Sequence, residues 1–154
     1  MKTIVIYDSV FGNTAKIADE MAKATGGALF KVTDICAEDL GGATHVLVGS
    51  PTRAFRPTPA VTAWLKRLPA GALKGIKAAA FDTRADVETV NSAMLKRFAK
   101  WFGYAAEKIC SELKKKGADV QCDPTGFFVL ESEGPLKDGE LKHAAEWAER
   151  FIKA

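Results

Sequence analysis

A chain of 154 residues, 47% of them hydrophobic, can bury one sizeable core and is short for two ordinary domains, so a single domain over residues 1–154 is expected. No stretch reaches the ~20 apolar residues of a membrane span, and Met1-Lys2-Thr3 runs straight into an apolar segment with no secretory signal, so a cytoplasmic protein is expected. The net charge of +3 comes without a cluster of basic and stacking residues, which excludes a nucleic-acid surface.

Thr3-Ile4-Val5-Ile6-Tyr7 reads as a continuous apolar strand, followed by the loop Ser9-Val10-Phe11-Gly12-Asn13-Thr14 and a helix over 14–24 with Ile17, Ala18, Met21 and Ala22 on one face. Gly26-Gly27 ends that helix. Ala28 to Val32 alternates and predicts an edge strand, whereas His45 to Val48 and Ile76 to Phe81 predict inner strands buried on both faces, each strand being followed by a helix. Thr58-Pro59 supplies an N-cap and first-turn proline for a helix through Trp64 and Leu68. The connection after Phe81 divides at Gly103. Val90 to Phe102 is either an amphipathic helix packed on the sheet or a cover over a ligand or partner surface, and Ala106, Ile109, Cys110 and Leu113 form a second helical stripe ending at Gly117. Asp119-Val120-Gln121 and Phe127 to Leu130 bracket Pro124-Thr125-Gly126 as an interrupted last strand, and a closing helix, N-capped by Asp138, carries Leu141, Ala144, Ala148, Phe151 and Ile152. Cys36, Cys110 and Cys122 lack C-x-x-C spacing, so reduced and mostly buried thiols are expected. Strands alternating with helices predict a parallel sheet covered on both faces.

A loop of small and hydroxylated residues between a strand and a helix start leaves backbone N–H groups for an anion. Read without any comparison, Ser9 and Asn13 are equally caps of the helix. The loop resembles the phosphate loop of the flavodoxin family, with Phe11 where that family usually has a hydroxyl residue. Gly49-Ser50-Pro51-Thr52-Arg53-Ala54-Phe55-Arg56-Pro57 is similar to the family's loop after strand 3, and its Pro51-Thr52-Arg53 to that of flavodoxin-like quinone reductases. The resemblance implies a flavodoxin-like three-layer α/β fold, a five-stranded parallel sheet of order 2-1-3-4-5 with helices on both faces, and FMN as cofactor. It further implies that Ser9, Val10, Phe11, Gly12, Asn13 and Thr14 hold the phosphate. Pro51, Thr52, Arg53, Ala54 and Phe55 would line the ring, with Phe55 either stacking on it or packing on the neighbouring helix. Asp82, Thr83 and Arg84, in a loop over 82–89, would lie at its pyrimidine end or simply cap the turn.

Residues 1–80 carry ten Lys or Arg against six Asp or Glu, unlike the acidic electron-carrying flavodoxins. An arginine ~5 Å from the ring at an effective dielectric near 20 would favour added negative charge by a few kcal/mol, on the order of 100 mV. Arg53, Arg56 and Arg84 are the candidates, as ring neighbours or as rim charges.

The resemblance implies an electron carrier serving a reductase and an acceptor protein, with no catalytic side chain, or an NAD(P)H-dependent flavoenzyme of quinone-reductase type. A flavin-free protein-binding module on the same scaffold is the third reading, and Phe11 is its best support. A phosphoacceptor receiver is excluded, because Asp8 stands alone and Gly49-Ser50 occupies the place of its acceptor acid. His45 and His143 belong to an inner strand and the last helix, so no catalytic or metal role is expected for them.

Overall fold

The structure is a computed structural model and describes residues 1–85, 93, 97, 103–120, 123–131 and 133–154. The strands are β1 (Thr3–Tyr7), β2 (Ala28–Lys31), β3 (His45–Pro51), β4 (Lys77–Ala85), β5 (Asp119–Val120) and β6 (Thr125–Val129). The helices are α1 (Asn13–Thr25), α2 (Pro59–Arg67), α3 (Ala105–Lys115) and α4 (Glu140–Lys153). All strand pairs are parallel, in the order β2-β1-β3-β4, with β5 and β6 both on the outer edge of β4. The flavodoxin-like order 2-1-3-4-5 is therefore present, its fifth position shared by two short strands. Between Lys77 and Phe81 β4 advances four residues while its neighbour advances six, from Asp119 to Thr125. The two extra residues break the last strand, and Pro124, which has no N–H for the ladder, falls in the break.

Strand alternation sends side chains into two cores. Ile4, Ile6, Val46, Val48, Ala78 and Ala80 meet α2 and α3 on one face, and Val5, Leu47, Ala79 and Phe81 meet α1 and α4 on the other. Both faces being covered, the inner strands are apolar throughout. The alanines of β4 and the absent Cβ of Gly49 leave room for Phe81, whose ring carbon would lie 2.1 Å from a Cβ at position 49. Thr58 caps α2 through its hydroxyl, 3.5 Å from the Val61 N–H, and Gly26 ends α1 at φ 66°.

Four expectations are corrected. The β2–β3 crossover contains only the 3₁₀ turns Val32–Asp34 and Ala37–Leu40, since two short apolar anchors, Val32 and Leu40, suffice to cover that edge. The first residue before α4 is Gly139, at φ 88°, rather than Asp138. On α4 the buried face runs through Ala144, Trp147, Ala148 and Phe151, so Leu141, one residue past buried Glu140, is turned outward and 42% exposed. Cys36 is exposed and donates through Sγ to Asp39, while Cys110 is buried and Cys122 lies outside the described residues. Val90 to Phe102 also lies outside them except for Ala93 and Arg97, which are helical and exposed. Among the described residues no helix is long and apolar enough to cross a membrane.

Candidate functional site

The carboxyl ends of β1, β3, β4 and β6 meet at a cavity of about 340 Å³. Its walls are Ser9, Val10, Phe11, Asn13 and Thr14 from the first loop, Pro51, Thr52, Arg53 and Ala54 from the second, and Thr83, Arg84, Ala85 and Val129 from β4 and β6. Eleven of the positions expected from sequence therefore share one cavity, and Gly12, Phe55 and Asp82 do not line it. Open-sheet topology explains the location, because the crossovers leave β1 in opposite directions toward β2 and β3 and part their loops there.

The first loop is held from within. Asp8 accepts from the Ser9 N–H at 2.9 Å and from the Thr58 hydroxyl at 2.6 Å, which ties the loop to the start of α2. Ser9 Oγ accepts from the Gly12 N–H at 3.0 Å, and Gly12, at φ 94°, turns the chain into α1. The helix start has no side-chain cap and no acid in its first turn, so its N–H groups and the positive end of its dipole are available to an anion. The reading of Ser9 and Asn13 as ordinary helix caps is thus not the arrangement seen. Asn13 is buried and donates from Nδ2 to the Glu133 carbonyl, and its close approach depends on Gly134, where a Cβ would lie 2.7 Å from that nitrogen. The Thr14 and Thr83 hydroxyls share a buried hydrogen bond of 2.7 Å, and such a pair retains one O–H proton to donate elsewhere.

The second loop is a tight turn in which Arg53 and Arg56 exchange backbone hydrogen bonds of 2.8 and 2.9 Å. Ala54 and Phe55 lie at φ 48° and 65°, the pattern of a two-residue hairpin turn that favours Asn-Gly. Phe55 is turned from the cavity and its carbonyl accepts from Lys108 Nζ. Among the described residues the aromatic side chain that lines the cavity is Phe11, 49% exposed, with the Arg53 guanidinium 5.5 Å from its centroid.

The expected third loop is a correction, because β4 continues to Ala85 and pairs with β6 as far as Val129. Asp82 and Arg84 therefore project from one face of a strand. Asp82 is fully buried and binds Arg84 through both carboxylate oxygens at 2.6 and 2.7 Å. It also accepts from the Ala106 N–H at the start of α3, at 2.9 Å. Burial pushes the Asp82 carboxyl above its ordinary value, against the opposing pull of Arg84, the Ala106 N–H and Thr52. Arg84 lies 3.6 Å from the Tyr104 ring centroid and fills the space above Gly126, where a Cβ would come within 2.0 Å of Nε. Tyr104, Ala85, Val129 and the tie made by Asp8 escaped the sequence reading. Val129 was accessible to it through strand parity, whereas nothing local marks Tyr104.

The profile of the flavodoxin domain matches residues 4–103. The chain belongs to the flavodoxin family. Its flavodoxin domain superposes on oxidised Flavodoxin 1 from Bacillus cereus with a TM-score of 0.74 at 17% identity, over 99% of this chain and 98% of that one. A flavodoxin from the domain Archaea gives 0.74 at 19% identity, over 99% and 97% of the two chains. Rubredoxin oxygen:oxidoreductase from Desulfovibrio gigas gives 0.73 at 18% identity, over 99% of this chain and 35% of that one. At such identities the likeness establishes the fold, which this flavodoxin domain shares. No curated protein matches the chain.

Proposed function

We propose that the protein binds FMN in the cavity at the carboxyl ends of its strands and carries electrons between a reductase and an acceptor protein in the cytoplasm. The observation that carries this reading is the start of α1, uncapped and free of acids, opening onto the one cavity where the family's two loops meet. Backbone N–H groups at Val10, Phe11, Asn13 and Thr14 would hold the phosphate, the Gly12 N–H being bound to Ser9 Oγ, with the Ser9 hydroxyl proton and the spare proton of the Thr14–Thr83 pair beside them. Main-chain donors make the loss of one side-chain hydroxyl at Phe11 tolerable. Pro51, Thr52, Arg53 and Ala54 form one wall for the ring and Thr83, Arg84 and Ala85 the other, with Phe11 rather than Phe55 as the aromatic surface. FMN, when bound, supplies one- and two-electron chemistry, and the chain's residues bind it and set its electrostatic surroundings.

Arg84 enters that environment already balanced by Asp82, so Arg53 is the cavity-lining cation with the stronger outward field. The test is an absorbance scan from ~300 to ~550 nm before and after FMN is added and excess removed by desalting. Retained flavin bands are the expected outcome; absence of bands together with silent calorimetry overturns the reading in favour of a flavin-free module.

A further inference from the structure

A second cavity, a groove of about 630 Å³, runs between α2 and α3 on the far side of the Arg53–Arg56 turn from the flavin cleft. Its floor is apolar, with Pro57, Ala63 and buried Leu65, and its edges carry Arg56, Lys66 and Lys108. Among the described residues of its lining Glu112 is the acid, and that carboxylate is 2.9 Å from Lys115 Nζ. The groove is therefore net cationic. The turn that forms it is shared: Arg53 and Ala54 line the cleft while Arg56 and Pro57 line the groove.

We propose that the groove is the docking site of an acidic partner protein, whose carboxylates meet Arg56, Lys66 and Lys108 around an apolar contact on Pro57, Pro59 and Ala63. Charge complementarity selects the occupant, since a basic partner would face three like charges. The Lys108 ammonium already titrates below its ordinary value, through burial first and the Arg56 charge second, so an incoming carboxylate relieves a repulsion the free protein carries. A cationic site of this kind acts most on encounter rate and salt dependence. A partner seated there touches the turn that walls the cleft, the placement an electron carrier needs, and to that extent the proposal rests on the proposed function.

The test is a ¹⁵N NMR titration of the apoprotein at low salt with two probes of opposite charge, a plant-type [2Fe–2S] ferredoxin as the acidic protein and cytochrome c as the basic one. Because the apoprotein is used, the footprint is read whether or not FMN is retained, and loss of the flavin reading does not mask it. The expected result is a ferredoxin footprint centred on residues 56–66 and 108–112, an affinity falling at least ~10-fold between ~20 and ~200 mM salt, and a comparable loss in the double variant Arg56→Glu, Lys66→Glu. Both substituted side chains are exposed, and an unchanged spectrum away from the groove checks the fold. A footprint elsewhere, no ferredoxin binding at low salt, tighter binding of cytochrome c, or an unaffected double variant overturns the proposal.

Discussion

The two arginine-bearing walls of the cleft use the same residue type in opposite ways. On the β4 wall, Arg84 is mostly shielded from solvent, bound by both guanidinium arms to a fully buried Asp82, covered by Tyr104 and seated over Gly126. On the opposite wall, Arg53 is exposed, carried by a turn whose two central residues sit in left-handed backbone. The first wall stores order and presents little net charge; the second presents charge and stores backbone strain. Position in the sheet makes the difference, because a strand flanked on both sides must neutralise a charge it buries, whereas a loop beyond the last ladder bond leaves its charge to water or to a ligand.

The largest effect expected from breaking this contrast is at Arg84. Arg84→Met leaves a fully buried carboxylate without its partner and should cost about 3–5 kcal/mol, read as a lower urea midpoint at unchanged slope. The double variant with Asp82→Asn should recover a large part of that loss, since the penalty belongs to the unpaired charge. pH supplies the sign. The folded Asp82 pKa lies above the unfolded one, so folding takes up a proton between them, and this group's contribution is most favourable below the ordinary carboxylate value and declines as pH rises through the raised one. Removing Arg84 takes away an influence that holds the carboxyl down, so the variant's deficit should shrink as the solution is acidified. A deficit independent of pH would mean that Asp82 is not the cause.

This pair also marks where the sequence stopped being legible. Apolar runs at Ile4–Ile6, Val46–Val48 and Ala78–Phe81, with the turns and caps between them, sufficed for a parallel sheet covered on both faces, because a doubly covered parallel strand declares itself locally, whereas the strand order came from the family resemblance. The loops around 9–14 and 49–57 pointed to the cavity through that same resemblance. Asp82 and Arg84 looked like loop residues because charged residues seldom occupy a central strand, and their pairing becomes visible only when Gly126 and Tyr104, distant in sequence, arrive beside them. Phe55, read as either a ring neighbour or a helix contact, does not line the cavity, and among the described residues the aromatic side chain on its lining is Phe11, the residue that looked like a defect in the phosphate loop.

A smaller effect should come from the exposed wall. Arg53→Gln removes the cation beside Phe11 and should weaken FMN binding by up to ~10-fold at low salt, equivalent to ~1.4 kcal/mol, with the difference from wild type closing as salt is raised. Riboflavin, which lacks the phosphate, should show a smaller loss in the same fluorescence titration if Arg53 acts on the phosphate, and an equal loss if it acts on the ring. An affinity unchanged at low salt would remove Arg53 from the site altogether.

The smallest effect concerns the strain itself, and it should have the opposite sign from the first. Ala54 is exposed and lies at φ 48°, a conformation that costs an ordinary L-residue roughly 1–2 kcal/mol, while Asn adopts it more readily through local hydrogen bonds of its short side chain. Ala54→Asn should therefore stabilise the protein by a few tenths to ~1 kcal/mol, a rise in the urea midpoint where Arg84→Met produces a fall. FMN affinity is the readout that decides what the strain does. If the turn's shape alone positions Arg53, the variant keeps its affinity, since Asn preserves the shape. If affinity drops while stability rises, the strained turn must move when the ligand enters, and its left-handed residues are a reservoir drawn on during binding.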